Sequence, residues 1–349
     1  MGGQALKNCV TRRYEADEYD VLTHEVASIL IAKGVTCTRI PSYFSKESHG
    51  DLDMLVKSET LPANWDKKIV EWFEPKELVK NGNVISFEYQ EFQIDLISVP
   101  EEDWLSSFLY YSFNDASNLI GRVAHSLGLK LGYDGLSYNF TEDTWHFRNV
   151  ILLKDYKDIL PVLGYSYERY QQGFDTLEDI FKFVVSSPFF RKSIYALENR
   201  NNAARTRDKK RRTYMEFLKW LENYEETKEQ RFYNGVHQED ALPYLMREIP
   251  SFRNIYDETM SDWADAKEFK KRYNGSLVTE WTGLKEKELG EFMKWNKDFA
   301  GVDKLKHTVL KLNAEVVKDW TIHFHDKWAE IHGKQRVKPA VYGNPNYGR

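Results

Sequence analysis

Two closely spaced aspartates are the residues of this sequence best suited to chemistry. Asp51 and Asp53 follow Gly50 in the run Asp-Leu-Asp-Met-Leu-Val, whose alternation and apolar end predict a β-strand. Because alternate side chains of a strand lie on one face, both carboxylates are expected to point the same way. Two like charges this close are tolerated in water or around a divalent cation. Gly50 allows the backbone to turn tightly or to approach a phosphate.

A third carboxylate would complete a metal-binding cradle. Asp95 lies in another strand-like run, residues 92–97, which is otherwise mostly apolar. An ionised carboxylate without a partner is costly in a core, so Asp95 is expected either at a strand edge in water or beside a cation. Mg²⁺ takes carboxylates together with phosphate oxygens, and two such ions stabilise both oxygens of an in-line displacement. The sequence therefore indicates a candidate site for Mg²⁺ (or Mn²⁺), and the alternative is a solvated turn with an edge aspartate.

The elements that position these aspartates are predicted from periodicity. Apolar side chains recur at helical spacing over residues 14–33 and stop before Gly34, which predicts a helix. Further strands are expected over residues 35–42, 51–56, 83–90, 91–99 and 145–153. A short helical piece is expected within residues 66–80, and further helices over residues 103–113 and 116–130. From about residue 155 the pattern is mainly helical. We expect an α+β fold with a mixed sheet over residues 1–154, a mainly helical domain over 155–333 and an irregular tail over 334–349.

Composition narrows the class of protein. The chain has 349 residues, two cysteines and a formal net charge of −5. This composition excludes a disulfide framework and gives no global nucleic-acid signature. The sequence has neither a signal-like N-terminus nor an apolar run long enough to span a bilayer. We expect a soluble cytoplasmic protein without a membrane partner.

One segment is strongly basic against this acidic background. Residues 200–212 contain seven basic residues and one aspartate. Such a patch would bind a nucleic-acid backbone in a salt-dependent way. The alternative is a solvated helix face paired with acidic residues such as Glu222, Glu225 and Glu226. The basic residues are Arg200, Arg205, Arg207, Lys209, Lys210, Arg211 and Arg212.

Four segments, in order, resemble the nucleotidyltransferase superfamily and, more narrowly, the palm of family X DNA polymerases (the polymerase beta group). The first resembles the family's Arg-then-acidic helix and the second its Gly-Asp-x-Asp stretch. The third is similar to the strand with the third aspartate, and the fourth to its Tyr-Phe-Thr-Gly-Ser segment with the helix that follows. The segments are residues 11–26, 39–56, 92–100 and 110–136.

The resemblance implies roles for the residues that match these motifs. Asp51, Asp53 and Asp95 would hold two Mg²⁺ ions, and Asp95 would also accept or orient the proton of the attacking hydroxyl. Ser42 would touch the incoming nucleoside triphosphate, with Lys46 as a point charge. The family's glycine before this serine and its two arginines are absent here, because the sequence reads Pro-Ser-Tyr-Phe-Ser-Lys.

The fourth segment carries the residues that would bind the nucleoside. By the resemblance, Tyr110 and Tyr111 would flank the sugar. Asp115 and Asn118 would contact the base, and Arg122 would approach the template strand or the nascent pair. No room precedes residue 11 for the family's N-terminal lyase domain, which suits a viral or mobile-element enzyme acting in the host cytoplasm.

Three functions remain open from the sequence. The first is transfer of a nucleotide from an NTP or dNTP to a nucleic-acid 3′ hydroxyl with release of pyrophosphate. The second is nucleotidyl transfer to a protein or a small molecule, for which the basic segment would not matter. The third is nucleic-acid binding by a palm that has lost its activity, against which the three intact aspartates argue.

Overall fold

A computed structural model describes residues 5–141, 147–232 and 238–334. The strands β1–β10 are Tyr14–Glu15, Cys37–Arg39, Ser48–His49, Asp51–Lys57, Leu78–Asn81, Val84–Tyr89, Phe92–Val99, Leu129–Gly132, Gly135–Thr141 and Phe147–Leu153. The helices α1–α9 are Ala16–Ala32, Trp65–Phe73, Trp104–Tyr111, Ala116–Ser126, Tyr156–Val162, Tyr167–Gln171, Leu177–Val184, Asn202–Lys209 and Arg212–Leu221. The helices α10–α16 are Lys228–Phe232, Gln238–Glu248, Pro250–Arg272, Gly275–Thr282, Glu286–Ala300, Val302–Lys311 and Ala314–Ile331.

The central sheet is mixed. Its strand order is β2-β4-β7-β6-β5, with β4 and β7 parallel and the other neighbours antiparallel. The hairpin between β6 and β7 turns at Gln90 and Glu91, whose φ values of 52° and 61° are those of a tight turn that matches strand twist. The expectation of an α+β fold with a mixed sheet and a helical C-terminal region is confirmed.

The two faces of β4 and β7 differ in character. Leu52, Met54 and Leu96 point into a core covered by α1 and α2, where burial of each large apolar side chain contributes about 1.5–3 kcal/mol. The opposite face is apolar at one end only, where Leu55 and Ile97 pack against α3. By the alternation of strand side chains, the predicted aspartates occupy the other end of this face.

A second, antiparallel sheet follows, with the order β10-β9-β8. At its start Gly135 has a φ of +122°, and a Cβ there would lie 2.3 Å from the carbonyl oxygen of Leu153. A glycine is therefore required for β9 to enter the sheet beside β10.

Two predicted boundaries are wrong in detail, and one strand was not predicted. The short helical piece expected within 66–80 is α2, which ends at Phe73. The edge strand Leu78–Asn81, whose backbone pairs with β6, was not predicted. The helix expected over 116–130 ends at Ser126, since Gly128 has a φ of +79° and the chain then enters β8. The strand expected over 35–42 is limited to Cys37–Arg39.

The chain divides into two compact units, Met1–Phe252 and Arg253–Arg349. The sequence placed a change after residue 154, which is where the last strand ends, and the helices α5 to α11 belong to the same unit as the sheets. The second unit has its own core, in which Phe292, Val317 and Trp328 are buried. The predicted tail after Lys334 lies outside the described residues. No described helix is both long and apolar enough to cross a bilayer.

Candidate metal centre and the cavities around it

Three aspartates meet on the polar end of the central sheet. Asp53 on β4 lies opposite Asp95 on β7 in the parallel register, and Asp51 lies two residues before Asp53 on the same face. Each can offer a carboxylate oxygen such that all three oxygens lie within 4.8 Å of one another. These residues could together hold a metal ion.

Hydrogen bonds fix the orientation of Asp95. Gln93 is a buried residue of β7 that lies two positions before Asp95. Its Nε2 donates to both carboxylate oxygens of Asp95 at 3.0 Å. The Oε1 of Gln93 accepts from the backbone N–H of Ala5 at 3.0 Å, so the start of the described chain holds this amide in place. Asp95 is therefore oriented before any ligand binds.

Electrostatics make this cluster unfavourable without a cation. Burial raises the pKa of Asp53 well above its ordinary value, and the charges of Asp51 and Asp95 raise it further. Burial also raises the pKa of Asp95 to about 6, partly offset by hydrogen bonds from Ser86 and Gln93. Raised values of this kind mean that the protein disfavours the full negative charge of the cluster. A divalent cation would relieve this repulsion, so the residues present fit a metal site.

Lys46 is the cationic side chain that faces the aspartates. Burial lowers the pKa of Lys46, while Asp51 and Asp53 raise it. The Nζ of Lys46 lies 3.3 Å from the Oγ of Ser42. These two predicted triphosphate contacts are thus adjacent to each other and to the aspartates.

A cavity of about 300 Å³, here called the aspartate cavity, opens onto Asp51 and Asp53. Six of the predicted site residues line it, namely Ser42, Lys46, Asp51, Asp53, Tyr111 and Asp115. One side of the cavity is formed by His49, whose ring stacks on Tyr19 with centroids 3.7 Å apart. Burial and nearby Lys46 lower the pKa of His49 to about 4, so this histidine is neutral at pH 7.

Sequence reasoning missed Asn114 and Thr213, which also line the aspartate cavity. Phe113 and Asn114 have φ values of 60° and 61°, a left-handed conformation that costs energy in a non-glycine residue. The buried Oδ1 of Asn114 has no hydrogen-bond partner within the described chain. Asparagine tolerates this conformation better than most residues, which is the one sequence signal available for it. Thr213 comes from α9, about 160 residues beyond Asp53, and carries no local signal.

A larger cavity of about 660 Å³ adjoins the aspartate cavity and shares four lining residues with it, namely Lys46, Asp51, Asn114 and Thr213. Gly50 lines this adjoining cavity. Its charges are mixed, because three basic side chains face three glutamates besides Asp51. These residues are Arg13, Lys46, Arg212, Glu47, Glu178 and Glu216.

The remaining predicted nucleoside contacts lie elsewhere. Tyr110, Asn118 and Arg122 line a separate cavity of about 530 Å³, here called the basic cavity, which also contains Lys130 and Arg207. Arg122 donates to the carbonyl of Ile194 at 3.0 Å. The buried Nδ2 of Asn118 finds no hydrogen-bond partner within residues 5–141, 147–232 and 238–334. These three residues therefore line a different cavity from Ser42, Lys46 and Tyr111, although the rings of Tyr110 and Tyr111 remain in contact, with centroids 5.2 Å apart.

The basic segment 200–212 is largely ion-paired. Arg200 is buried and bonds Asp208 at 2.8 Å, and Arg207 reaches the same carboxylate at 3.4 Å. Arg211 forms an ion pair with Asp115 at the wall of the aspartate cavity, and Arg212 pairs with Glu216 at 2.6 Å. The acidic partners of the basic segment are thus Asp208, Asp115 and Glu216, whereas the sequence suggested Glu222, Glu225 and Glu226. Lys209 and Lys210 are exposed.

No protein-family model matches this chain, and no curated protein is significantly similar to it.

Proposed function

We propose that this protein transfers a nucleotide from a nucleoside triphosphate to a hydroxyl group, with Mg²⁺ (or Mn²⁺) bound by Asp51, Asp53 and Asp95. The observation that carries the proposal is the convergence of these carboxylates to within 4.8 Å beside the half-buried side chain of Lys46. The family resemblance of the surrounding motifs supports the same assignment. When bound, the metal neutralises charge on the phosphates and on the attacking oxygen.

The side chains divide the remaining work. Lys46 and Ser42 bind the triphosphate, since both face the aspartate cavity and lie next to each other. Asp95 is held by Gln93 at 3.0 Å and takes up or orients the proton of the attacking hydroxyl. Tyr111 and Asn114 form the wall against which the nucleoside packs. Catalysis of this kind rests on positioning and on charge, with no covalent intermediate on the protein.

We propose a nucleic-acid 3′ end as the acceptor. The basic cavity supports this choice, because Arg122, Lys130 and Arg207 line it and no acidic side chain of the described residues does. Phosphodiester groups would bind there by charge and by the unpaired amide of Asn118.

A second acceptor class is favoured by a different observation. The cavity that adjoins the aspartates contains Glu47, Glu178 and Glu216, which would repel a phosphate backbone. An acceptor with amino or hydroxyl groups, either a small molecule or a protein side chain, would suit these carboxylates. In that case the basic cavity would not contribute to turnover.

The test is incubation of the protein with each labelled triphosphate, Mg²⁺ or Mn²⁺, and a panel of acceptors. The panel contains single-stranded, primed and gapped DNA and RNA, an aminoglycoside and the protein itself. We expect label in a nucleic acid, with release of pyrophosphate, and no label with Asp53→Asn. Asp17→Asn, which removes an exposed carboxylate of α1, should retain full activity.

Each outcome decides between the proposals. Label only in the aminoglycoside or the protein would replace the nucleic-acid acceptor by the second class. Turnover retained by Asp53→Asn would refute the metal role of the aspartates. Nucleic-acid binding without label in any arm would leave the non-catalytic alternative.

A further inference from the structure

The C-terminal unit contains a cleft of about 550 Å³ between α12, α14 and α15, here called the lysine-rimmed cleft. Its floor is apolar and includes Phe269, Tyr273, Met293 and Leu305. Val302, at the first turn of α15, lies at the mouth with 54% of its surface exposed. A cavity of this size and polarity is typical of sites that bind an apolar group.

Four lysines surround the opening, one or two from each of the three helices, and no acidic side chain of the described residues lines it. Lys306 reaches Asp265 at 3.6 Å. The other three are exposed and form no ion pair within the described part of the chain. The lysines are Lys270, Lys294, Lys297 and Lys306. Their charge selects an anionic occupant.

The interior argues against a nucleic-acid base. The hydroxyl of Tyr273, one of the few polar groups near the floor, already accepts a hydrogen bond from Asn296 at 2.8 Å. The polar edge of a base placed there would lose its hydrogen bonds to water without replacement, which is unfavourable. The C-terminal tail of this chain has the wrong charge for the cleft, because residues 335–349 contain basic side chains and no acidic one.

We propose that the lysine-rimmed cleft binds an acidic segment of a partner protein, which inserts a large apolar side chain between α12, α14 and α15. The carboxylates of that segment pair with the lysines around the opening. Met293 and Phe269 contact the inserted side chain, and the flexible thioether of methionine adapts to its form. This binding does not depend on the aspartates of the first unit.

The test uses the full chain and a fluorescent nine-residue peptide of alternating aspartate and phenylalanine, with binding followed by anisotropy. Two control peptides replace either every phenylalanine by serine or every aspartate by asparagine. We expect binding of the first peptide only. Lys294→Gln with Lys297→Gln should weaken it roughly fivefold, and Val302→Asp, which places a carboxylate at the mouth, by about tenfold or more.

The matched control is Lys285→Gln with Lys318→Gln, which removes two exposed lysines of the same unit outside the cleft. This double variant should bind the peptide as the unchanged chain does. Equal binding of the asparagine peptide, or equal loss with the control variant, would overturn the proposal. Failure of the peptide to bind, with labelled oligothymidylate binding instead in a Val302-dependent way, would assign the cleft to single-stranded nucleic acid.

Discussion

At the scale of residues, the three aspartates are alike in type but differ in how they are held. Asp95 receives two hydrogen bonds from Gln93, whereas Asp53 is surrounded by the charges of its two neighbours and Lys46. Their spacing on one strand was predictable, since Asp51 and Asp53 are two positions apart. Spacing alone could not bring Asp95 beside Asp53, because their pairing depends on the parallel register of two strands and the residues are 42 positions apart; only the family resemblance suggested it.

The raised pKa of Asp95 predicts how stability depends on pH in metal-free protein. Its pKa is about 6 in the folded chain and has an ordinary value of 3.8. Folding thus favours the protonated acid, so the stability that protonation contributes is present below pH 4 and is lost as the pH rises through 6. Between pH 5 and 7.5 this loss should be on the order of 1–2 kcal/mol in the free energy of unfolding.

Urea denaturation in EDTA at several pH values measures this loss. In Asp95→Asn, which cannot ionise, the decline of stability between pH 5 and 7.5 should be smaller. Addition of Mg²⁺ should restore the stability of the unchanged protein at pH 7.5 and have less effect at pH 5. A pH dependence identical in Asp95→Asn and the unchanged chain would contradict the assignment.

At the scale of elements, the helices α8 and α9 hold one wall of the candidate site. Thr213 at the start of α9 lines the aspartate cavity, and Arg211 just before it pairs with Asp115 at the start of α4. Helix α8 is tied to the segment before it by the buried pair of Arg200 and Asp208, with side-chain exposures of 6% and 1%. This pair is therefore structural.

Removal of Asp208 should destabilise the protein strongly. Asp208→Ala leaves the guanidinium of Arg200 buried without its counter-charge, which costs about 3–5 kcal/mol. Guanidinium denaturation of Asp208→Ala, with Lys209→Ala at the neighbouring exposed position as the control, measures the change. A loss below about 1 kcal/mol would show that this ion pair does not hold α8 in place.

At the scale of the whole molecule, basic side chains are concentrated in local patches although the net charge is negative. The net charge of −5 gives no general attraction for nucleic acid, so any such binding must come from a patch. In the structure the best candidate for that patch is the basic cavity rather than the whole of residues 200–212. Most arginines of residues 200–212 are ion-paired, whereas the basic cavity combines Arg207 with Lys130 and Arg122 from other elements.

The salt dependence of oligonucleotide binding tests whether the basic cavity contacts nucleic acid. Lys130→Gln with Arg207→Gln should weaken binding of a single-stranded oligonucleotide and reduce the slope of log K against log salt by about 1.4, the value for two lost phosphate contacts. The exposed pair Lys33→Gln with Lys67→Gln serves as control and should leave the slope unchanged. An unaltered slope in the first variant would remove the basic cavity from the nucleic-acid interface.

The sequence predicted local order well and distant contacts poorly. Helix α1 and the strands around Asp53 and Asp95 follow from periodicity, because their apolar faces are continuous. The short strand β5 was not predicted, because only its pairing with β6 makes it a strand. Asn114 and Thr213 could not be placed at the site, since one depends on a left-handed loop and the other on how α9 packs.

Titration of the metal-free protein with Mn²⁺, followed by electron paramagnetic resonance, tests the shared metal site most directly. The unchanged chain should bind Mn²⁺, and Asp53→Asn should lose at least about tenfold in affinity because the site loses a charged ligand. Asp17→Asn should bind as the unchanged chain does. Equal Mn²⁺ affinity in Asp53→Asn and the unchanged protein would contradict the account.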